Sequence, residues 1–247
     1  MDKEIVVIKL GSSCLVNDEG LDQAKINGYA EQITSLDQFS PIVVSSGAVA
    51  AGRRIAEQSG LVMQKLPSQA LAMLGSAGIS EAWRIAFAHQ DILSGQLLVT
   101  HREIDDADEG QSLKNALNIN AEHGIISVLN ENDALSQKEL KKLSYGGDND
   151  GLAAHIATLV GAKHLLLLTG VAGFLREGTV VQSLQSHEIQ SALSECYESS
   201  NEGTGSMGSK LEAAEFAAKQ GTTVTIAGAE ENFAKIIAHT VGTRITR

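Results

Sequence analysis

Short apolar runs alternate with longer amphipathic segments along most of the chain. Six predominantly apolar runs end in turn-forming residues and predict buried strands at 4–10, 41–47, 95–100, 125–130, 164–170 and 222–228. Helices are predicted at 22–36, 47–60, 68–88, 111–123, 149–162 and 207–220, with a last helix and short strand after residue 228. The intervening segment 171–204 has no regular pattern. This alternation predicts a three-layer α/β/α sandwich with a mostly parallel central sheet, formed by one domain over residues 1–247.

The composition and charge of the chain argue against nucleic acids and membranes as partners. The chain has 247 residues and a net charge of −11, so it lacks the basic surface that nucleic acids or anionic membranes require. No apolar run is long enough for a membrane span, and the charged N-terminus does not resemble a signal peptide. Cys14 and Cys196 lie far apart without metal-ligand spacing, which favours free thiols in a reducing compartment. We therefore expect a cytoplasmic protein.

A glycine-rich turn, GTGSMGSK at 203–210, precedes one of the predicted helices. It contains the G-x-G-x-x-G spacing of dinucleotide-binding turns, but the polar, turn-like residues 191–202 stand where such a turn needs a strand. It also fails the nucleoside-triphosphate loop pattern, because Ser209 separates the last glycine from Lys210. A flexible turn that leads into a helix with a lysine in its first turn remains a candidate anion site. A mobile loop with an ordinary helix lysine would have the same sequence.

Polar residues follow almost every predicted strand. In a parallel sheet these positions meet at one edge, where ligands bind. The strand ends supply Lys9, Gly11, Ser46, Gly47, Asn130, Asp133, Thr169 and Gly170. The turn that leads into the helix predicted at 149–162 supplies Asp148, Asn149 and Asp150. Each one alone is ordinary turn chemistry. A lysine at the end of an apolar strand is unusual, however, and together the residues suit an anionic cofactor and a small polar ligand.

Six segments resemble the motifs of the amino acid kinase family, in the order that the family shows. They are VVIKLGSS, VVSSGAVAAG, VLNENDA, GGDNDGLAA, LLLLTG and GTGSMGSKLEAA. Within that family the resemblance is to the members that phosphorylate the γ-carboxylate of L-glutamate with ATP and Mg²⁺, the first step of proline biosynthesis. It implies the amino acid kinase fold and no dedicated protein metal site.

The resemblance also implies roles for the strand-end residues. Lys9 and Lys210 are expected to hold the phosphoryl oxygens, Asp150 to orient both lysines and adjoin the Mg²⁺ shell, and Gly11 and Gly47 to admit backbone N–H groups. The acceptor is expected to contact Ser46, Gly47, Asn130, Asp133, Asp148 and Asn149. The nucleotide is expected to contact Lys9, Gly11, Thr169, Gly170, Thr204, Gly205, Ser206, Met207, Gly208, Ser209 and Lys210.

The sequence departs from the family pattern in two places. Gly170 stands where the family usually has Asp, which affects nucleotide binding if that Asp acts through its side chain. Many relatives also carry a C-terminal RNA-binding-like domain, whereas this sequence stops at Arg247. The resemblance therefore implies an active kinase with different regulation.

Other functions fit part of the pattern. A uridylate kinase needs arginines for the acceptor phosphate, and Arg53 and Arg54 are present, although we interpret them as a solvated helix face. Acetylglutamate and carbamate kinases differ only in motif detail, and a non-catalytic amino-acid sensor would not need both lysines. The apolar segment 61–88 predicts a homo-oligomer, a dimer or tetramer. The resemblance also implies that proline inhibits the enzyme as a feedback inhibitor.

Overall fold

The computed structural model describes residues 3–60, 66–135, 149–199 and 207–247. Its strands are β1 (Glu4–Leu10), β2 (Val16–Asn17), β3 (Gly20–Leu21), β4 (Phe39–Ser45), β5 (Ser94–Val99), β6 (Ile126–Glu131), β7 (His164–Thr169), β8 (Leu175–Arg176), β9 (Thr179–Val180), β10 (Ser183–Gln185), β11 (Thr223–Gly228) and β12 (Thr243–Thr246). Its helices are α1 (Ser12–Leu15), α2 (Gln23–Thr34), α3 (Ala48–Gln58), α4 (Ser68–Ala88), α5 (His101–Asp105), α6 (Ala107–Glu122), α7 (Asn149–Val160), α8 (Ile189–Ser199), α9 (Met207–Lys219) and α10 (Phe233–Ile237).

Eight strands form the central sheet in the order β10-β12-β11-β7-β1-β4-β6-β5. The six strands from β11 to β5 are parallel, as predicted, whereas β12 runs antiparallel to β11 and β10 runs parallel to β12. Leu10 at the end of β1 lies beside Ser45 of β4 and Leu168 of β7. The carboxyl ends of the central strands therefore meet at one edge of the sheet.

Helices cover both faces of this sheet. Val7 points into a core shared with α6, α7, α8 and α9, while its neighbours Val6 and Ile8 point into a second core shared with α2, α4 and α10. This alternation follows from the two-residue period of a strand, and both cores are apolar because a parallel sheet is buried on both sides. The three-layer α/β/α prediction is confirmed.

Two glycines let α3 and α4 pack with their backbones in contact. A Cβ atom on Gly52 would lie 1.8 Å from the carbonyl oxygen of Leu71, and one on Gly75 would lie 2.0 Å from that of Ala48. Separations this short are not possible between real atoms, so no larger residue fits without moving a helix. Gly52 and Gly75 are thus the close-packing points of this helix pair.

The pattern-based prediction was wrong in two segments. Residues 171–204 contain the hairpin β8–β9, strand β10 and helix α8, whose Ile189, Ala192 and Leu193 are buried. These apolar residues follow helical spacing, but polar residues between them hide the period in a linear reading. The helix predicted at 111–123 begins earlier, at Ala107, because the Asp106 carboxylate caps it by accepting from the N–H groups of Asp108 and Glu109.

Two sequence predictions concern the molecule as a whole. In the part of the chain that the structure describes, no helix combines the length and apolarity that crossing a bilayer requires. Among the described residues, neither Cys14 nor Cys196 forms a disulfide.

Candidate active site

A buried ionic triad lies at the carboxyl edge of the sheet. Lys9 from the end of β1 places its Nζ 2.6 Å from Oδ1 of Asp150, and Lys210 from the first turn of α9 places its Nζ 2.9 Å from Oδ2. Asp150 is fully buried, and the two lysines are only 3% and 6% exposed. Buried charges persist in proteins only when they are paired, so each lysine depends on this carboxylate. The triad carries a net charge of +1.

Three elements fix the geometry of the triad. Lys9 ends a strand that is hydrogen-bonded on both sides, so its backbone cannot shift. Asp150 is the second residue of α7, where the helix dipole favours a negative charge. The first turn of α9 also brings Ser209 close, with Oγ 3.4 Å from Oδ2 of Asp150. The backbone N–H groups of this turn have no partner within the helix, which gives the site further donors for an anion.

The predicted nucleotide residues flank the triad on the side of β7 and α9. Thr169 ends β7, and its carbonyl accepts from the N–H of Ala229 at 2.8 Å. Gly170 is exposed, and a Cβ atom there would meet nothing within 4 Å. The backbone thus does not require glycine at this position. Met207 and Gly208 begin α9 together with Ser209, whereas the predicted Thr204, Gly205 and Ser206 lie outside the described residues.

Asn149 joins the predicted acceptor residues on the other side of the triad. Its Nδ2 donates to Oγ of Ser46 at 2.9 Å and to Oδ1 of Asn130 at 3.2 Å, and its Oδ1 accepts from the N–H of Glu131 at 3.3 Å. The side chain next in sequence to Asp150 thus connects the ends of β4 and β6. The predicted Asp148 belongs to a segment outside the description.

A cavity of about 740 Å³ opens beside these residues. Its lining includes the predicted acceptor residues Ser46, Gly47, Asp133 and Asn149. One face of α3 and the hairpin β2–β3 form its other walls, through Val49, Ala50, Arg53, Arg54 and Glu57 and through Val16, Asn17 and Asp18. The structure therefore brings four of the six predicted acceptor residues together around one cavity.

A second cavity, of about 690 Å³, lies at the opposite edge of the sheet. Residues near the amino ends of β1, β4 and β6 line it, among them Ile5, Phe39 and Ile126. None of the predicted site residues lines it, whereas Ser46, Gly47, Asp133 and Asn149 line the cavity at the carboxyl edge.

Glycine occupies positions 47 and 11, near the triad, for two different physical reasons. Gly47 has a φ of +105°, and a Cβ atom there would lie 3.1 Å from Cδ1 of Ile79, so the turn into α3 needs glycine. Gly11 has an ordinary φ of −72°, and a Cβ atom would lie 3.9 Å from Nζ of Lys9. Glycine at position 11 keeps the space beside the ammonium open rather than relieving backbone strain.

The sequence analysis missed three residues on the acceptor side of the site, Ser45, Trp83 and Glu131. Ser45 is buried under Trp83 of α4, whose Nε1 donates to the Ser45 hydroxyl at 2.9 Å, and that hydroxyl donates to the carbonyl of Ser46 at 3.1 Å. Glu131 is a buried carboxylate at the end of β6. The sequence contains a signal for Ser45, because Ser45 and Ser46 form a polar pair at the end of an apolar strand. It contains no signal for Trp83, because the contact between α4 and the end of β4 arises only from the tertiary structure.

Arg53 and Arg54 both line the cavity, which a purely solvated helix face would not do. Arg53 is exposed, as expected for such a face. Arg54 lies only 3.0 Å from Asp18 and 2.8 Å from Glu57, so its charge is shared between two carboxylates. The sequence could not distinguish the two arginines because they are adjacent and chemically identical.

Cys14, close to the triad, is a protonated thiol. Burial raises its pKa, and this effect outweighs the lowering caused by the Ser13 and Gly11 hydrogen bonds and by the nearby Lys9 and Lys210 charges. We therefore assign it to the packing around the site.

Residues 4–228, nearly the whole chain, match the model of the amino acid kinase family. The chain belongs to that family. Among its relatives, glutamate 5-kinase of Vibrio vulnificus is 35% identical over 232 residues, which cover 90% of this chain and 60% of the relative. Glutamate 5-kinase of Aliivibrio salmonicida is 34% identical over 240 residues, with 93% and 64% covered. The chain thus spans between 60% and 64% of the length of these relatives.

Solved structures of the amino acid kinase family share the fold. Carbamate kinase of Giardia lamblia bound to AMP-PNP superposes with a TM-score of 0.71 at 13% identity, over 99% of this chain and 98% of the other. UMP kinase of Ureaplasma parvum superposes with a TM-score of 0.66 at 14% identity, over 99% and 100%. At such low identity these structures establish the fold alone.

Proposed function

We propose that the protein transfers the γ-phosphoryl group of ATP to the γ-carboxylate of L-glutamate and forms L-glutamyl 5-phosphate, the first step of proline biosynthesis. The observation that carries this proposal is the buried Lys9–Asp150–Lys210 triad next to a cavity lined by Ser46, Asp133 and Asn149. Family membership and the glutamate 5-kinase relatives support the same reaction.

The triad suits this reaction because positioning and charge neutralisation dominate phosphoryl transfer. A γ-carboxylate oxygen forms a bond to the γ-phosphorus while the bond from phosphorus to the bridging β–γ oxygen breaks, and ADP leaves with that electron pair. The carboxylate is already ionised at neutral pH, so no general base is needed. Lys9 and Lys210 neutralise the oxygens of the transferring group, and Asp150 holds both ammonium groups in place.

The nucleotide is ATP with Mg²⁺ in this proposal. The first turn of α9, with Gly208 and Ser209, offers backbone N–H groups to the phosphates, and Thr169 and Gly170 flank them. Within the described part of the chain, no group of three or more acidic, histidine or cysteine side chains could hold a metal. Mg²⁺ commonly binds through substrate phosphates, waters and one or two carboxylates, and Asp150 beside the phosphate site fits that pattern.

The charges of the cavity favour an amino acid over a nucleotide as acceptor. Among the described lining residues, Arg53 and Arg54 face three carboxylates, those of Asp18, Glu57 and Asp133. The lining is therefore net negative, which disfavours a phosphate dianion such as that of UMP. An amino acid that carries an ammonium group suits it better, and Asp133 is the residue we assign to that ammonium.

An ADP-release assay with glutamate, N-acetylglutamate, aspartate, carbamate and UMP as acceptors tests the function. We expect a clear preference for glutamate, together with a product that hydroxylamine traps as the hydroxamate of an acyl phosphate. Preference for another acceptor contradicts the assignment. If glutamate binds but no mixture releases ADP, the protein is an amino-acid sensor instead. A Lys9→Met variant serves as the control that gives the background rate of ADP release.

Further properties belong to the same proposal. One sheet takes strands from both ends of the sequence, which supports a single kinase domain over residues 1–247. We propose a cytoplasmic homo-oligomer that proline inhibits. Activity that does not change in millimolar proline would contradict the last point.

A further inference from the structure

One cation of the proposed acceptor cavity has no ion-pair partner among the described residues. Arg54 is neutralised by Asp18 and Glu57, at 3.0 Å and 2.8 Å. Arg53 lines the same cavity and forms no ion pair with any residue that the structure describes. The two adjacent arginines therefore differ in their ion pairing. Arg54 ties α3 to the tip of the β2–β3 hairpin, while the guanidinium of Arg53 remains available to a ligand.

Arg53 lies where it can contact the end of an acceptor that points away from the Lys9–Asp150–Lys210 triad. Helix α3 begins directly after Gly47, and Arg53 lies on the face of α3 that lines the cavity, together with Val49 and Ala50. Side chains on a helix lean toward its N-terminus, so the guanidinium extends back toward the Ser46 and Gly47 turn. Asn149 marks the inner end of the cavity, because it adjoins Asp150 of the phosphoryl site.

The charge of Arg53 matches one charge of a free α-amino acid. Arg54, Asp18 and Glu57 pair with one another, and no described carboxylate pairs with Arg53. An acceptor whose reactive carboxylate points inward presents an α-carboxylate at its other end, and a guanidinium is complementary to that group.

We propose that Arg53 is a specificity-determining residue that binds the α-carboxylate of the acceptor. The inference rests on the proposed phosphorylation of glutamate. A guanidinium forms two parallel hydrogen bonds to a carboxylate, which selects acceptors that carry a second carboxylate beside the amine. Compounds with the same chain and amine but no α-carboxylate are therefore poor substrates.

The test compares glutamate with 4-aminobutyrate, which keeps the amine and the reactive carboxylate but lacks the α-carboxylate. We expect Arg53→Gln to lower kcat/KM for glutamate about 10-fold to 100-fold, mainly through KM, because a charge-assisted contact is lost. The same substitution should leave kcat/KM for 4-aminobutyrate within about twofold of wild type, since that molecule offers Arg53 no partner. Where turnover of 4-aminobutyrate is too slow, its inhibition constant against glutamate reports its binding instead, and Arg53→Gln should leave that constant within about twofold of wild type.

Arg54→Gln is the matched control, one residue away in the same cavity. It loosens the hairpin and should change both compounds by the same factor, so the ratio of glutamate to 4-aminobutyrate stays at the wild-type value. Arg53→Lys keeps the charge without the paired hydrogen bonds and should give an intermediate ratio. A wild-type ratio in Arg53→Gln overturns the proposal even when the enzyme is active on glutamate. A wild-type protein that does not phosphorylate glutamate overturns the proposed function instead.

Discussion

At the scale of single residues, we expect the two triad lysines to act as one unit on the phosphoryl group that is transferred in the proposed reaction. We expect Lys9→Met or Lys210→Met to lower kcat about 10²-fold to 10³-fold, more than either raises the KM for ATP, because both neutralise charge that develops in the transition state. The double variant should lose less than the product of the single losses. Lys9→Arg should not restore activity, because a guanidinium fork does not fit where a compact ammonium lies 2.6 Å from Asp150.

Steady-state kinetics of the four variants check this prediction. A kcat within a few-fold of wild type for either methionine variant removes that lysine from the mechanism. Circular dichroism of each variant separates lost catalysis from lost folding, which matters because Asp150 would remain buried beside a single cation.

Asp133 gives a second prediction at the residue scale, on the acceptor side alone. Asp133→Asn removes the charge that we assign to the substrate ammonium, a contact worth about 1.5–3 kcal/mol. The KM for glutamate should therefore rise about tenfold or more, while the KM for ATP changes little. Kinetics with each substrate varied in turn provide the measurement. Equal changes in both KM values would show that Asp133 supports the fold rather than the ligand.

The sequence predicts a single residue well when its role depends on its neighbours in the chain. Lys9 and Gly47 were predictable because a lysine that ends an apolar strand and a glycine at a strand-to-helix turn stand out in the sequence alone. The pairing of both lysines with one carboxylate is not local, because Asp150 and Lys210 are sixty residues apart. The motif resemblance supplied that link.

At the scale of elements, the crossing of α3 and α4 depends on Gly75. Gly75→Ala places a methyl group 2.0 Å from the Ala48 carbonyl oxygen, so the two helices must separate. We expect a loss of about 1–3 kcal/mol in the free energy of unfolding, as for other overpacked interiors. Because Ala48 begins α3 beside the acceptor turn, the KM for glutamate should also rise.

Gly28→Ala is the control, in the interior of α2 with nothing within 4 Å of the added Cβ. That substitution should stabilise the protein by about 0.5–1 kcal/mol, since alanine favours the helix and no atom has to move. Urea unfolding of both variants gives the comparison. A Gly75→Ala protein as stable as wild type would mean that the helices pack less closely than described.

The elements also show what apolar periodicity can predict. Helix α4 was predicted with its observed bounds, Ser68–Ala88, because its period is long and regular. Helix α8 was missed because its buried face is only a few residues wide. The antiparallel pairing of β12 with β11 leaves no mark on the apolar pattern, since strand direction is decided by the connection and not by the strand residues.

At the scale of the whole molecule, stability should fall in mild acid. Burial and the neighbouring His239 lower the pKa of His164, and burial and Arg244 lower that of His239. Both side chains therefore bind protons more readily in the unfolded chain. Stability from this pair is present well above the unfolded histidine pKa of about 6.5 and is lost as the pH falls through it toward the lower folded values.

Urea unfolding across that pH range measures the effect. His164→Gln removes one of the two titrating groups, so its stability should change less steeply with pH than that of wild type. His123→Gln, at an exposed histidine, should keep the wild-type slope. An unchanged slope in the His164 variant would exclude this pair as the origin of acid sensitivity.

A second whole-molecule prediction concerns assembly. Helix α4 exposes Met73 and Leu74, at 68% and 41%, and neighbouring α3 exposes Ile55 at 39%. An apolar surface of this kind usually marks an interface, so we expect a homo-oligomer that Met73→Glu converts to smaller species. Light scattering at micromolar concentration measures the mass of both proteins in solution. A monomeric wild type would contradict the prediction, part of which rests on residues 61–65, outside the described chain.

The hydrogen bond from Trp83 to Ser45 has an optical consequence. The protein contains one tryptophan, its indole is fully buried, and its N–H ends one hydroxyl away from the Ser46 turn of the acceptor cavity. Indole emission depends on the polarity around the ring and on the partner of its N–H. The tryptophan fluorescence of the unlabelled protein, excited where tyrosine does not absorb, therefore reports on a single known place, one serine away from the proposed acceptor site.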